Sequence, residues 1–205
     1  MEFLRKNLTL LFVVLSFIAN SQNQSTLQKA FSSSYELESQ EKYSEAIKSL
    51  QAVYIENSYE INLRLGWLYY LNADHNNSIN YFTKAINLMP VATEPLWLIV
   101  SPLASLEKWN EVEKIYIRIL KIDPKNALAN YRLGLIYYYR KDYVRAKKFF
   151  DISLNLFPFE YNYMLMSAWT NYFLGNKNDA RVLFNKVLLY SPNNTSALEG
   201  LSLLK

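Results

Sequence analysis

Four prolines, Pro90, Pro124, Pro158 and Pro192, stand 34 residues apart. A fixed period of that length specifies a stack of small units, each unable to bury its apolar face alone and each completed by its neighbours. Between Asn126 and Pro158 the order is Leu133-Gly134-x-x-Tyr137, then Ala146-x-x-x-Phe150, then the proline. Both clusters have helical spacing, so each unit reads as two helices joined by a turn. Gly134 on the first helix is expected to face Ala146 on the second, letting the two backbones approach closely. Leu65-Gly66-x-x-Tyr69, Ser78-x-x-x-Phe82, Ala85 and Pro90 repeat the order upstream. Downstream, Ala180-x-x-x-Phe184, Leu188 and Pro192 keep it, with Ala168 and Asn171 in the slots of glycine and tyrosine.

These residues resemble the tetratricopeptide repeat (TPR) family, whose units are 34-residue helix-turn-helix pairs. The resemblance implies an all-α fold, a right-handed superhelical solenoid of antiparallel helix pairs, acting as a protein-binding scaffold. Composition agrees: 51% hydrophobic residues, 16% aromatics and only 4 glycines favour packed helices. Five repeats are expected, at 27–58, 59–92, 93–126, 127–160 and 161–194, with a capping helix at 195–205. In the degenerate first repeat, Tyr43-x-x-Ala46-x-x-x-Leu50 marks the second helix, and Phe31, Leu37, Ala46, Leu50 and Val53 form the core face. Asp74, Asp142 and Asn176 are expected N-caps of second helices, Asn176 following Gly175, and Asn194 caps the closing helix. The third repeat departs from the pattern. Val100 and Val112 occupy both small-residue slots, and Pro102 falls inside the first helix, where it removes a hydrogen bond to the Leu98 carbonyl and predicts a kink.

The first 21 residues have the order of a secretory signal, with Arg5 and Lys6, the apolar run Leu8 to Ile18, then Ala19-Asn20-Ser21. Cleavage after Ser21 predicts an exported chain, periplasmic or secreted, opening with a polar linker at 22–26. The alternative is a membrane tether through an uncleaved signal-anchor, although the apolar run is about half the roughly 20 residues a span needs. With no cysteine, disulfides, a lipobox and thiolate metal sites are excluded.

Catalytic chemistry lacks its parts. The one histidine, His75, falls at an inter-helix turn where packing explains it, and no phosphate-binding glycine loop or nucleophile elbow occurs. Asp123, Asp142, Asp151 and Asp179 fall at turns and outer faces. The expectation is no enzyme, no cofactor and no metal. A net charge of +4 spread along the chain leaves no nucleic-acid footprint.

The resemblance also implies a concave surface lined by the first helix of each repeat. Carried onto this sequence, that surface holds Arg64, Trp67, Tyr70, Trp97, Ser101, Tyr131, Arg132, Tyr138, Trp169 and Tyr172 as the candidate partner-binding groove. Leu71, Leu135, Tyr139 and Phe173 fall at further lining positions, with Leu71, Leu135 and Phe173 expected to pack between repeats. Tryptophan, tyrosine and arginine combine contact area with a polar handle and dominate interface energies. The implied function is an exported scaffold binding a peptide segment or partner helix in a cell-envelope complex. Self-association into a homo-oligomer is the alternative, and carbohydrate binding by stacked rings a weaker one. A carboxylate clamp for chaperone C-termini is not supported, because only Arg64 and Arg132 are basic among the lining positions.

Overall fold

Every described residue that carries regular structure is helical, as the spacing of the apolar positions requires. The computed structural model describes residues 24–205, so the expected signal segment 1–21 and its cleavage point lie outside the described residues. Eleven helices follow in pairs: α1 (24–39) and α2 (Tyr43–Gln51), α3 (Tyr59–Leu71) and α4 (His75–Leu88), α5 (Glu94–Ser105) and α6 (Trp109–Ile122), α7 (Ala127–Tyr139) and α8 (Tyr143–Leu156), α9 (Tyr161–Phe173) and α10 (Lys177–Tyr190), then α11 (Thr195–Leu203). Residues 24–26, assigned to a polar linker from their composition, form the first described turn of α1. None of the described helices is long and apolar enough to cross a membrane.

The chain divides after Pro102 into two compact units. In the first, Ala30, Ala46, Ile47, Leu50, Ile61, Leu65 and Leu68 form one core, with Phe31, Leu37 and Val53 packed against it. In the second, Met164, Ala168, Ala180, Phe184, Val187, Ala197 and Leu204 form another, so α11 completes the last pair by covering its apolar side.

The turn inside each pair has one construction. Ala73 N–H donates to the Tyr70 carbonyl at 3.0 Å and Asp74 N–H to that of Tyr69 at 2.9 Å, the paired bonds that close a helix through a left-handed residue. The same two bonds recur at Glu41, Glu107, Lys141 and Gly175, with φ of 60°, 56°, 61° and 78°, against 59° for Ala73. Only one of the five positions is glycine, so four carry the steric cost of a side chain in this region.

The residue after each left-handed position begins the second helix. Asp74 accepts from the Asn77 amide and Asp142 from that of Arg145, at 3.1 and 3.0 Å, as expected, and Asn194 caps α11 through Ala197 N–H at 2.8 Å. Asn176 differs, making no side-chain cap bond. Its amide nitrogen donates to the side-chain oxygen of Asn171 at 3.0 Å. The cause lies in the substitution at the tyrosine slot: Asn171 is buried, its own amide nitrogen is spent on the Ser167 carbonyl, and its oxygen needs a donor.

At the close approach of paired helices the glycine meets the small residue opposite, as expected, and also lies beneath an aromatic ring. A methyl added at Gly66 would lie 2.6 Å from the Phe82 ring, and one at Gly134 2.6 Å from Phe150. The small residue opposite serves the backbone: Ser78 Oγ donates to the Gly66 carbonyl at 2.7 Å. Where Ala168 replaces glycine, the Phe184 ring lies over Gly200 of α11. Phe82, Phe150 and Phe184 are fully buried, each contributing about 1.5–3 kcal/mol.

Pro102 does not break α5, which runs without interruption from Glu94 to Ser105. The ring has no N–H for the Leu98 carbonyl, and the bonds on either side carry the helix through.

Candidate partner-binding surface

In the first unit, α3 brings Arg64 and Trp67 against α1, with Tyr70 beside Trp67 on the same helix. Arg64 is buried to 8% exposure and forms an ion pair with Glu38, while its Nε and Nη2 donate to Ser34 Oγ and the Ser34 carbonyl, both at 3.1 Å. Its guanidinium also lies 3.8 Å from the centre of the Tyr35 ring. The other Glu38 oxygen accepts from Trp67 Nε1 at 2.7 Å. Tyr70 packs on Trp67 and on His75, each about 5.8 Å between ring centres. Arg64 and Trp67 are committed to the α1–α3 seam, since a ligand would have to replace an ion pair that is already shielded from water. Trp97 and Ser101, four residues apart on α5, are half-buried.

The second unit gathers the other five. Tyr131 lies between Tyr163, at 4.9 Å, and Phe150, at 5.7 Å, and burial pushes its hydroxyl pKa up. Tyr138 contacts Tyr143 and Phe173 edge to face at 5.6 and 6.0 Å, and Tyr143 stacks on Phe173 at 4.6 Å. Burial, followed by the neighbouring Tyr143 and Tyr139, pushes the Tyr138 hydroxyl up to about 12. Trp169 meets Phe173, Tyr172 and Phe184, and its Nε1 donates to Ser196 Oγ at 2.8 Å. The result is a continuous aromatic surface over α7, α9 and the start of α8. Phe173 packs between repeats as expected, on Tyr143 and Tyr138, and with 46% exposure it also forms part of that surface.

Beside it, between α6 and α7, a pocket of about 560 Å³ is lined by Trp109, Tyr116, Arg132, Leu135, Ile136, Tyr139 and Arg140. Leu135, also expected to pack, is one of its walls. Arg140 is already neutralised: it pairs with Glu113 and donates to Asn110 at 2.9 Å. Glu113 also accepts from Tyr137 Oη at 2.5 Å. Burial raises the Glu113 carboxyl, but the hydrogen bonds from Tyr137 and Arg140 and the charges of Arg140 and Arg145 outweigh it, holding the pKa below the usual range. Arg132 is different, exposed and making no hydrogen bond or ion pair among the described residues. The pocket therefore offers apolar and aromatic walls with one uncommitted guanidinium, suited to an anion on an apolar stem.

Trp109, Tyr116, Ile136 and Arg140 escape a reading based on groove positions alone. The signal was present as spacing: Arg132, Ile136 and Arg140 are four apart on one stripe of α7, and Trp109 and Tyr116 are seven apart on α6. Two buried asparagines carry a structural role of the same kind. Asn62 and Asn130, each three residues before a Leu-Gly pair, donate from their side-chain amides to carbonyls of the preceding turn, Glu56 and Ser58 or Pro124 and Asn126.

A tetratricopeptide repeat profile matches residues 59–90, and a second profile of the same description matches 128–159 and 163–194. Together with the helix pairs that fill the described chain, these matches place the protein in the tetratricopeptide repeat family. A search of curated protein sequences finds no match. Among solved structures, the chain is similar to a tetratricopeptide repeat protein from Parabacteroides merdae ATCC 43184, with 20% identity, a TM-score of 0.73, and 88% of this chain and 72% of that one covered. It is similar to YrrB, a TPR protein with an unusual peptide-binding site, at 14% identity and a TM-score of 0.70 over 91% and 97% of the two chains. MamA follows the same fold, with 18% identity and a TM-score of 0.69 over 80% and 91%.

Proposed function

We propose that the protein is an exported scaffold whose second unit holds an extended peptide or a helix of a partner protein against the aromatic surface of α7 and α9, in a complex at the cell envelope. The observation that carries this reading is the continuous run of Tyr138, Tyr143, Trp169, Tyr172 and Phe173, adjoining a pocket with exposed Trp109 and Tyr139. Large exposed rings backed by packed rings lose little conformational freedom on binding, which is the property of interface anchors. Peptide binding by YrrB, a protein of similar fold, supports the same use of the scaffold. Export rests on the order of charge, apolar run and small residues in the first 21 positions.

The test is capture from envelope extract with the chain starting at Gln22, beside a Trp109→Ala/Tyr139→Ala variant. A partner retained by the former and lost by the latter, with equal melting temperatures, is the expected result. N-terminal sequencing of the exported protein should begin at Gln22, and recovery of Met1 in the membrane fraction would replace export by tethering.

A second reading, self-association, has its own observation in the exposed Phe157, Phe159, Leu189 and Tyr190, where Tyr190 contacts Phe159. Sedimentation separates the two. A dimer that forms without added partner and dissociates on Phe159→Ser/Leu189→Ser favours self-association.

A further inference from the structure

We propose that the pocket between α6 and α7 recognises an acidic side chain within an internal segment of the partner, with a neighbouring aromatic or large aliphatic residue of that segment laid against Trp109 and Tyr139. This rests on the scaffold reading and names the chemistry its partner must present. Charge complementarity selects the occupant. Of the two guanidiniums at the pocket, Arg140 is satisfied by Glu113 and Asn110, whereas Arg132 is uncommitted among the described residues. A carboxylate matches the planar fork of a guanidinium with two parallel hydrogen bonds, and a lone neutral acceptor does not.

The remaining walls exclude a hydrated ion alone. Tyr116, Leu135 and Ile136 give the cavity an apolar floor, and Trp109 and Tyr139 stand 51% and 76% exposed at its edge. About 560 Å³ accommodates one or two side chains. An aspartate or glutamate can enter with its carboxylate on Arg132 while its neighbour covers the rings and shields the ion pair from water. That shielding makes the pair stronger than an exposed one.

The experiment is selection of a phage-displayed library of random heptapeptides, held within a longer displayed chain so that no free C-terminal carboxylate is offered. It is run on the chain from Gln22, on Arg132→Gln and Arg132→Lys, and on Lys121→Gln as the control, Lys121 being an exposed cation of the last turn of α6 outside the pocket lining. The wild type is expected to enrich aspartate or glutamate next to an aromatic or large aliphatic residue. A selected peptide should bind Arg132→Gln about ten-fold more weakly, as loss of one charge-assisted pair dictates. Arg132→Lys should fall between, and Lys121→Gln should match the wild type. Because Arg132 is exposed, all variants should melt at the same temperature.

No acidic enrichment, or the same enrichment with Arg132→Gln, overturns the proposal, as does failure to select any peptide above background. The scaffold reading is judged separately: an envelope partner captured equally by wild type and Arg132→Gln leaves the scaffold standing and overturns this pocket. Capture of no partner at all overturns both.

Discussion

Two kinds of single residue set the geometry of this chain, the glycine beneath a ring and the residue in the left-handed turn. At Gly134 an added methyl would lie 2.6 Å from the Phe150 ring, which is fully buried and has nowhere to move. Gly134→Ala therefore gains about 1 kcal/mol of helix propensity but loses more to overpacking, so a net loss of about 1–2 kcal/mol is expected in denaturant melts. Ala168→Gly, where the Phe184 ring lies on Gly200, should cost helix propensity together with one fully buried methyl, about 1–2 kcal/mol. The turn residues act in the opposite sense. Lys141 holds φ of 61° with an exposed side chain that makes no hydrogen bond or ion pair among the described residues, and Glu107 is alike at 56°. Lys141→Gly and Glu107→Gly should each raise stability by about 0.5–1 kcal/mol, because relief of the left-handed strain exceeds the entropy of the freer unfolded chain. Gly175→Ala, with φ of 78° and open space around it, should lose a similar amount through backbone strain alone.

At the scale of helices, α5 is where local rule and observed structure part most clearly. Pro102 leaves the Leu98 carbonyl without its helical donor, yet the helix continues to Ser105. Pro102→Ala restores that donor, and a rise of up to about 3 kcal/mol in thermal unfolding is expected, with no change in partner affinity. Weaker partner binding in the more stable variant would instead assign the bare carbonyl a place in recognition. The helix pairs themselves were legible in the sequence because their signals are periodic: leucine, glycine and tyrosine at fixed offsets, and capping aspartates 68 residues apart at Asp74 and Asp142. The Asn176 cap was not, because the cap residue was engaged by Asn171, a partner five positions back whose demand arises only once both are folded and buried. For the surface, the resemblance identified the aromatic stripe of α7 and α9. It could not show that Arg64 and Trp67 are held by Glu38, since that depends on how α1 packs on α3. Nor could it find the α6 wall of the pocket, because Trp109 and Tyr116 belong to a second helix, outside the positions assigned to the groove.

Across the whole molecule the dominant chemical fact is the tyrosine content, 17 residues in 205, and what packing does to it. Burial is the leading cause at Tyr59 and Tyr138, whose hydroxyls are pushed up to about 12, with the Glu94 carboxylate adding to the shift at Tyr59. Burial also raises Tyr69, Tyr116, Tyr131, Tyr137 and Tyr163, aided at Tyr137 by its bond to Glu113. The sign follows from proton counting. Between the ordinary tyrosine value of about 10 and the raised folded values, the unfolded chain has already lost protons that the folded chain keeps, so stability falls as pH rises. The contribution is fully present below pH 10 or so and disappears as the folded values near 12 are passed. Phenolate absorbance and helical circular dichroism followed together through an alkaline titration should show that the raised set keeps its protons past the ordinary tyrosine value. The raised set, Tyr59 and Tyr138 foremost, should ionise only as helicity collapses, so that their part of the absorbance rise coincides with the loss of circular dichroism. In strong denaturant all should titrate together near the ordinary value. A single transition at that value in the native protein, with the helices unaffected, would mean that the rings of α3, α7 and α9 are open to water and that the aromatic surface is not packed as described.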